Sequence, residues 1–300
     1  SRTQVYRAIR DDKKPVVIKL LKNPYPNFSE LVQFRNQYTI AKNLNSPGII
    51  QTYSLENYQN GYALVMEDMG GISLKEYFTK NVETLYIKHF LQIAIYLCDT
   101  LDILYRHRII HKDIKPANIL INSENQVKLI DFSIASLLPR ENQTLISPNV
   151  LEGTLSYISP EQTGRMNRGI DYRTDFYSLG VTFYELLTGE LPFKSEDAME
   201  LVYCHIAKTP PQISKPHPKP LLSKEREEEI PLVLSDIVMK LMAKNAEDRY
   251  QSALGLKYDL EICLKQFIET GDIEYFEIGK RDICDRFIIP EKLYGRDTVI

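Results

Sequence analysis

No run in this 300-residue sequence approaches the roughly eighteen uninterrupted apolar residues that a membrane-crossing helix requires, and no cleavable leader is read at its start. Basic residues form no cluster: 37 Lys and Arg against 40 Asp and Glu leave a formal net charge of −3. That balance argues against nucleic acid or an anionic membrane surface as the main partner. Cysteine is scarce, and Cys98, Cys204, Cys263 and Cys284 are scattered, three of them in apolar helical surroundings. Reduced core thiols are therefore expected in place of disulfides or a metal site. No internal repeat is visible. These absences predict a cytoplasmic protein with no membrane insertion and no nucleic-acid partner. What is present is an apolar fraction of 43%, enough to bury the core of one large domain with an appendage.

The richest stretch is His111-Lys112-Asp113-Ile114-Lys115-Pro116-Ala117-Asn118, followed after an interval by Asp131-Phe132-Ser133. Phosphoryl transfer from ATP asks for little covalent help; it needs Mg²⁺ to offset phosphate charge and a carboxylate to orient the attacking hydroxyl. Asp113 is the candidate base, and Asn118 and Asp131 are the candidate metal ligands. Asn118-Ile119-Leu120-Ile121 and Val127-Lys128-Leu129-Ile130 read as short strands joined by the polar turn 122–126. Such a hairpin would bring Asn118 and Asp131 together at its open end.

At these residues the sequence resembles the eukaryotic-type protein kinase superfamily, with Lys112 where the family usually has Arg and Ser133 where it usually has Gly. The resemblance implies an α+β, bilobal protein kinase-like fold: a small β-rich N-lobe, truncated at its start, and a large helical C-lobe. It implies ATP and Mg²⁺ as cofactors. Val16-Val17-Ile18-Lys19 matches the strand whose lysine, here Lys19, reaches the α/β-phosphates. Met66 would stand at the back of the adenine pocket, the backbone of Glu67 to Met69 would meet the adenine edge, and Val5, Val17 and Leu120 would sandwich the base. Lys115 followed by Pro116 matches the serine/threonine form of the loop, with Lys115 stabilising the transferring phosphate, and Thr154 matches the threonine that bridges Asp113 and Lys115. The implied partner is a protein substrate offering Ser or Thr hydroxyls.

Further landmarks carry the same likeness. Ser159-Pro160-Glu161 stands in the place of A-P-E, Asp175-Phe176-Tyr177-Ser178-Leu179-Gly180 resembles the start of the buried central helix, and Arg249 would pair with Glu161. The Ser-Pro-Glu segment and that helix separate protein kinases from small-molecule phosphotransferases of related fold. Leu31, Phe34, Tyr38, Ala41 and Leu44 recur at helical spacing up to Ser46-Pro47-Gly48. On this helix Gln37 occupies the family's glutamate position; an amide can hydrogen-bond Lys19 but cannot neutralise it. Glu30 falls near the helix start, where a carboxylate caps. Helices are also expected over 84–106, from 175 to about 189, and over 195–208, 232–244 and 250–268, with a Pro-rich loop over 209–220. His111 is expected as a strut beneath the catalytic loop, and His107 and His205 as surface or packing residues.

The family pattern counted back from Val5 places Thr3 at the third glycine of the phosphate-covering loop, so the chain is expected to be cut inside the domain. The expected division is N-lobe 1–69, C-lobe 70–269, and a linker plus the start of an AAA-type ATPase domain over 270–300. Residues 163–175 and 282–296 look like the N-terminal part of large bacterial hybrid serine/threonine and histidine kinases and of similar fungal proteins. Neighbouring AAA-type ATPase and histidine kinase modules of the same polypeptide are then partners too. Thr144 or Ser147, if phosphorylated, would pair with cations such as Lys112, Arg165 or Arg168. The alternative to an active kinase is a weakly active or inactive pseudokinase serving as a nucleotide-sensing docking module, favoured by Gln37, Ser133 and the absent glycine loop.

Overall fold

β-Branched and aromatic residues on either side of an Asp-Lys turn build the first hairpin of the computed structural model. Strand β1 (Thr3–Ile9) runs antiparallel to β2 (Pro15–Leu21), with Val5 opposite Lys19. The structure describes residues 3–80, 87–137, 154–166, 168–213 and 230–283. Helix α1 (Phe28–Ala41) starts at a reciprocal cap: Asn27 Oδ1 accepts from the Glu30 amide at 2.9 Å and Glu30 Oε2 from the Asn27 amide at 3.0 Å. Glu30 is thus committed to the helix end. The helix stops at Ala41, short of the predicted Leu44, because Asn43 and Asn45 favour turns over helical backbone. Leu44 is still buried beyond it.

Strands β3 (Thr52–Tyr58) and β4 (Gly61–Glu67) complete an antiparallel sheet of order β1-β2-β4-β3. Phe34 of α1 meets Ile50, Leu64 and Met66 there in a small apolar core. The second, larger core belongs to the helical part. After β5 (Ile72–Ser73) and α2 (Leu74–Lys80) comes α3 (Ile87–Arg106), which buries Phe90, Leu91, Ala94, Leu97, Leu101 and Leu104 along one stripe. The predicted start of this helix at residue 84 lies outside the described residues.

Strands β6 (Ile109–Ile110), β7 (Ile119–Ile121), β8 (Val127–Leu129) and β9 (Ser136–Leu137) frame the site. Four helices close the lobe: α4 (Arg173–Thr188), α5 (Ala198–Ala207), α6 (Leu232–Leu241) and α7 (Ala253–Thr270). In α4, a Cβ on Gly180 would meet Leu241 Cβ and Met242 Cγ at 2.8 Å each, so only glycine lets α4 and the end of α6 approach this closely. Of the Pro-rich loop, residues 214–220 lie outside the described part. Beyond α7, Ile273 joins the large core, and Asp282 accepts hydrogen bonds from the Gln251 and Ser252 amides at 2.7 and 2.8 Å. Residues 284–300 lie outside the described residues, as does Cys284; Cys98, Cys204 and Cys263 are free and buried. Among the described residues no helix is long and apolar enough to cross a membrane.

One buried group gives the lobe an acid sensitivity. His205 on α5 is fully enclosed, with Nδ1 3.0 Å from the Tyr177 hydroxyl and the Lys244 ammonium 2.9 Å from its backbone oxygen. Burial, reinforced by Lys244, pulls the imidazole down to about 3. A depressed histidine is neutral in the fold, while the unfolded chain takes up its proton below about 6.5. The stabilisation is therefore full above about pH 6.5 and fades as pH falls toward about 3, by up to about 1.4 kcal/mol per pH unit. Urea midpoints measured from pH 7 to 5 are expected to fall less steeply in His205→Gln than in the parent; parallel curves would remove His205 as the cause.

Candidate active site

The loop between β6 and β7 is held from below by two groups. Asp175, near the start of α4, accepts the His111 and Lys112 amides at 2.8 Å each, and Lys112 takes a left-handed backbone with φ 67°. The His111 ring is the strut the sequence predicts: Nε2 donates to the Ile130 carbonyl at 3.0 Å and Nδ1 accepts the Asp113 amide at 3.3 Å. A carbonyl on one side and an N–H on the other fix the tautomer. His111 also meets the Phe132 ring edge-on, centroids 4.8 Å apart.

On this support Asp113 is surrounded by donors. Its Oδ2 accepts from Lys115 Nζ at 2.6 Å and from Asn118 Nδ2 at 2.8 Å. Its Oδ1 accepts from the Thr154 hydroxyl at 3.0 Å and the Thr154 amide at 3.2 Å. Lys115 also donates to the Thr154 hydroxyl. These donors fix the orientation of the carboxylate.

Asn118 then faces the other way. Both partners of its Nδ2, Asp113 O at 2.9 Å and Asp113 Oδ2 at 2.8 Å, are acceptors, so the nitrogen must point at them and the amide oxygen is turned away. The hairpin forms as the sequence predicts, with Ile119 opposite Leu129 and the Ile130 amide donating to Asn118 O at 2.9 Å. Asp131 follows directly, in left-handed backbone with φ 66°. Burial pushes its carboxyl up, but the Lys19 ammonium, 3.0 Å from Oδ1, outweighs burial and holds it below the usual carboxylate range. Oδ1 is buried, with the Lys19 ammonium as its charged partner.

The Asp131 carboxylate and the Asn118 amide oxygen, turned away from Asp113, are oxygen donors of the kind a hard cation shared with phosphate oxygens takes. Among the described residues no cluster of three or more His, Cys, Asp or Glu side chains forms a cage. One carboxylate and one amide, Asp131 and Asn118, are the residues here that could hold Mg²⁺ arriving with phosphates.

The residues expected to face the nucleotide divide. Val17, Met69, Leu120 and Met66 share the small core under the sheet, and Val17 pairs directly with Met66 across β2 and β4. Val5 lies opposite Lys19 but is 61% exposed, outside that cluster. Lys19 Nζ donates to Gln37 Oε1 at 2.9 Å, and Gln37 Nε2 reaches the Met66 sulfur at 3.7 Å. Two residues were not legible in the sequence. The Lys128 ammonium grips both Glu67 carboxylate oxygens at 2.7 Å, tying the strand that carries the hinge to β8, and Asn36 reaches the Asp131 turn. Only the alternation in Val127-Lys128-Leu129 hinted that Lys128 faces away from the core. Of the segment predicted to carry phosphorylation, Thr144 and Ser147 lie outside the described residues. Arg168 pairs with Glu247 and Arg165 reaches the Met199 sulfur.

The protein kinase domain pattern matches residues 1–259. The chain is 32% identical over 251 residues to the serine/threonine-protein kinase PrkC of Bacillus subtilis, covering 83% of this chain and 36% of that protein. It is 32% identical over 254 residues to the serine/threonine-protein kinase PknB of Mycolicibacterium smegmatis, covering 82% and 38%. The hybrid signal transduction histidine kinase G of Dictyostelium discoideum is 32% identical over 305 residues, covering 73% of this chain and 9% of that protein. The chain thus spans little more than a third of the first two relatives and a small part of the third.

Proposed function

The chain belongs to the protein kinase family, a family of ATP- and Mg²⁺-dependent phosphotransferases, and we propose that it transfers the γ-phosphate of ATP to Ser and Thr hydroxyls of a protein. The observation that carries this reading is Asp113, held by Lys115, Asn118 and Thr154 within 2.6–3.2 Å, at the open end of the hairpin that delivers Asp131. Asp113 receives the proton of the incoming hydroxyl, and Lys115 balances charge on the transferring group. Asn118 and Asp131 hold Mg²⁺, which when bound offsets the charge on the phosphates. Lys19 anchors the α/β-phosphates. Val5, Val17, Met66 and Leu120 enclose the adenine, whose edge meets the backbone from Glu67 to Met69.

The same reading places the domain in a larger cytoplasmic signalling protein. Residues 1–69 and 70–269 are its two lobes, and 270–300 lead into an AAA-type ATPase module followed by histidine kinase modules. The likeness to a hybrid signal transduction histidine kinase supports a histidine kinase neighbour in the same polypeptide. Transfer from radiolabelled ATP to a generic Ser/Thr protein tests the activity, and Asp113→Asn is expected to lower the rate about 10²–10³-fold. An unchanged rate in that variant would remove Asp113 as the base. A second reading, a nucleotide-sensing pseudokinase, is favoured by the neutral Gln37 beside Lys19. It predicts a thermal shift with Mg·ATP but no transfer by the parent chain.

A further inference from the structure

An ammonium and a carboxylate that must stay 3.0 Å apart are carried here by different parts of the molecule, Lys19 on the sheet and Asp131 at the end of β8. Helix α1 touches Lys19 and the turn that follows Asp131 through neighbouring amides. Gln37 Oε1 accepts from Lys19 at 2.9 Å. Asn36 Nδ2 is directed at the Ala135, Ser133 and Phe132 carbonyls, at 2.8, 3.1 and 3.4 Å. All three partners are acceptors, so the amide nitrogen must face them. Consecutive helical positions point about 100° apart, which is how one turn of α1 addresses the sheet with residue 37 and the other lobe with residue 36.

The turn from Asp131 to Ala135 needs such a hold. Asp131 is a non-glycine residue in left-handed backbone, a conformation that persists where its surroundings over-determine it. Three carbonyls converging on one point also repel one another unless a donor sits among them. We propose that Asn36 is a positioning residue for phosphotransfer. It fastens α1 to the turn that presents Asp131, so that Asn36 and Gln37 together secure the Lys19–Asp131 geometry with two neutral amides and no helix carboxylate. The inference rests on the kinase reading for its consequence, and on hydrogen bonding alone for its geometry.

Two variants of the full chain test it. Asn36→Ala deletes the donor. Asn36→Asp keeps the shape but turns a carboxylate toward three carbonyl oxygens. Hydrogen exchange of the unliganded protein is expected to show amides 131–135 exchanging about tenfold faster in both variants, with β2 and β4 unchanged. In steady-state assays kcat is expected to fall about tenfold while the KM for ATP moves less than about threefold. Unchanged exchange at 131–135 overturns the proposal, and so does acceleration spread evenly over α1 and the sheet, which marks a general stabiliser. A rise in KM matching the fall in kcat overturns the positioning role. If the parent transfers no phosphate, the kinase reading fails while the exchange measurement still decides Asn36.

Discussion

Asp131→Asn is expected to reduce Mg·ATP-dependent phosphotransfer about 10⁴-fold while leaving the melting temperature within a few degrees of the parent. A carboxylate holding a divalent cation supplies several kcal/mol of charge stabilisation, and ~5 kcal/mol at 1.36 kcal/mol per factor of ten gives that figure. The choice of asparagine matters. Asp131 sits at φ 66°, which asparagine tolerates and alanine does not, at ~1–2 kcal/mol for a residue forced there. Asp131→Ala would mix that strain with the loss of the ligand, whereas Asp131→Asn removes the charge and keeps the backbone. Lys19 retains Gln37 Oε1 as an acceptor at 2.9 Å, and the Asp131 side chain is 29% exposed, so loss of this partly solvated pair costs far less than loss of an enclosed one. Initial rates with radiolabelled ATP, beside a melting curve, check both halves. A folded variant within tenfold of the parent rate would remove Asp131 from the metal-holding role.

What was legible in the sequence shares a physical trait: it is local. The hairpin 119–129 is written in alternating Val127, Lys128 and Leu129 and in a turn of Asn, Ser and Glu, so the approach of Asn118 to Asp131 follows from a few residues of chain. The loop 111–118 is equally self-contained, since Lys115 and Asn118 reach Asp113 across two and five positions. The Asn36 clamp, with partners 96 to 99 residues away, depends on how the lobes pack, which no periodicity encodes. Glu67 shows the same limit. Resemblance puts its backbone at the hinge, but nothing local marks its grip on Lys128, 61 residues on. Helix ends erred where turn-forming side chains competed: asparagines stopped α1 early, and α6 ends at Leu241, before Lys244. The amide of Lys244 falls outside the helix, and its ammonium is spent on the Cys204 and His205 carbonyls.

Removing Arg249 should be the most damaging single change to the large lobe. Its side chain is 0% exposed, and all of its N–H donors are used: Nε on Ala243 O, Nη1 on Glu161 Oε1 and Arg173 O, Nη2 on Glu161 Oε2 and Lys244 O, at 2.7–3.0 Å. Burial pushes the Glu161 carboxyl up, but Arg249 outweighs it and holds it below the usual range. Breaking such a pair leaves an uncompensated buried charge, ~3–5 kcal/mol for Glu161→Gln. Arg249→Met should exceed that, because three backbone carbonyls lose their donors as well, at ~1–3 kcal/mol each. For the same reason the double variant Glu161→Leu, Arg249→Met should stay well below the parent, unlike an isolated ion pair exchanged for apolar residues. At about 2–4 °C per kcal/mol, Glu161→Gln should melt roughly 6–20 °C lower. Glu161 has a depressed folded value, so its stabilisation is complete above its ordinary value of 4.5 and is lost as pH falls through the folded one. The parent and Glu161→Gln melting curves should therefore converge at acid pH. Melting within about 2 °C of the parent at pH 7 would mean that the pair does not hold the lobe, and a gap constant down to pH 3 would mean that the Glu161 charge is not what matters.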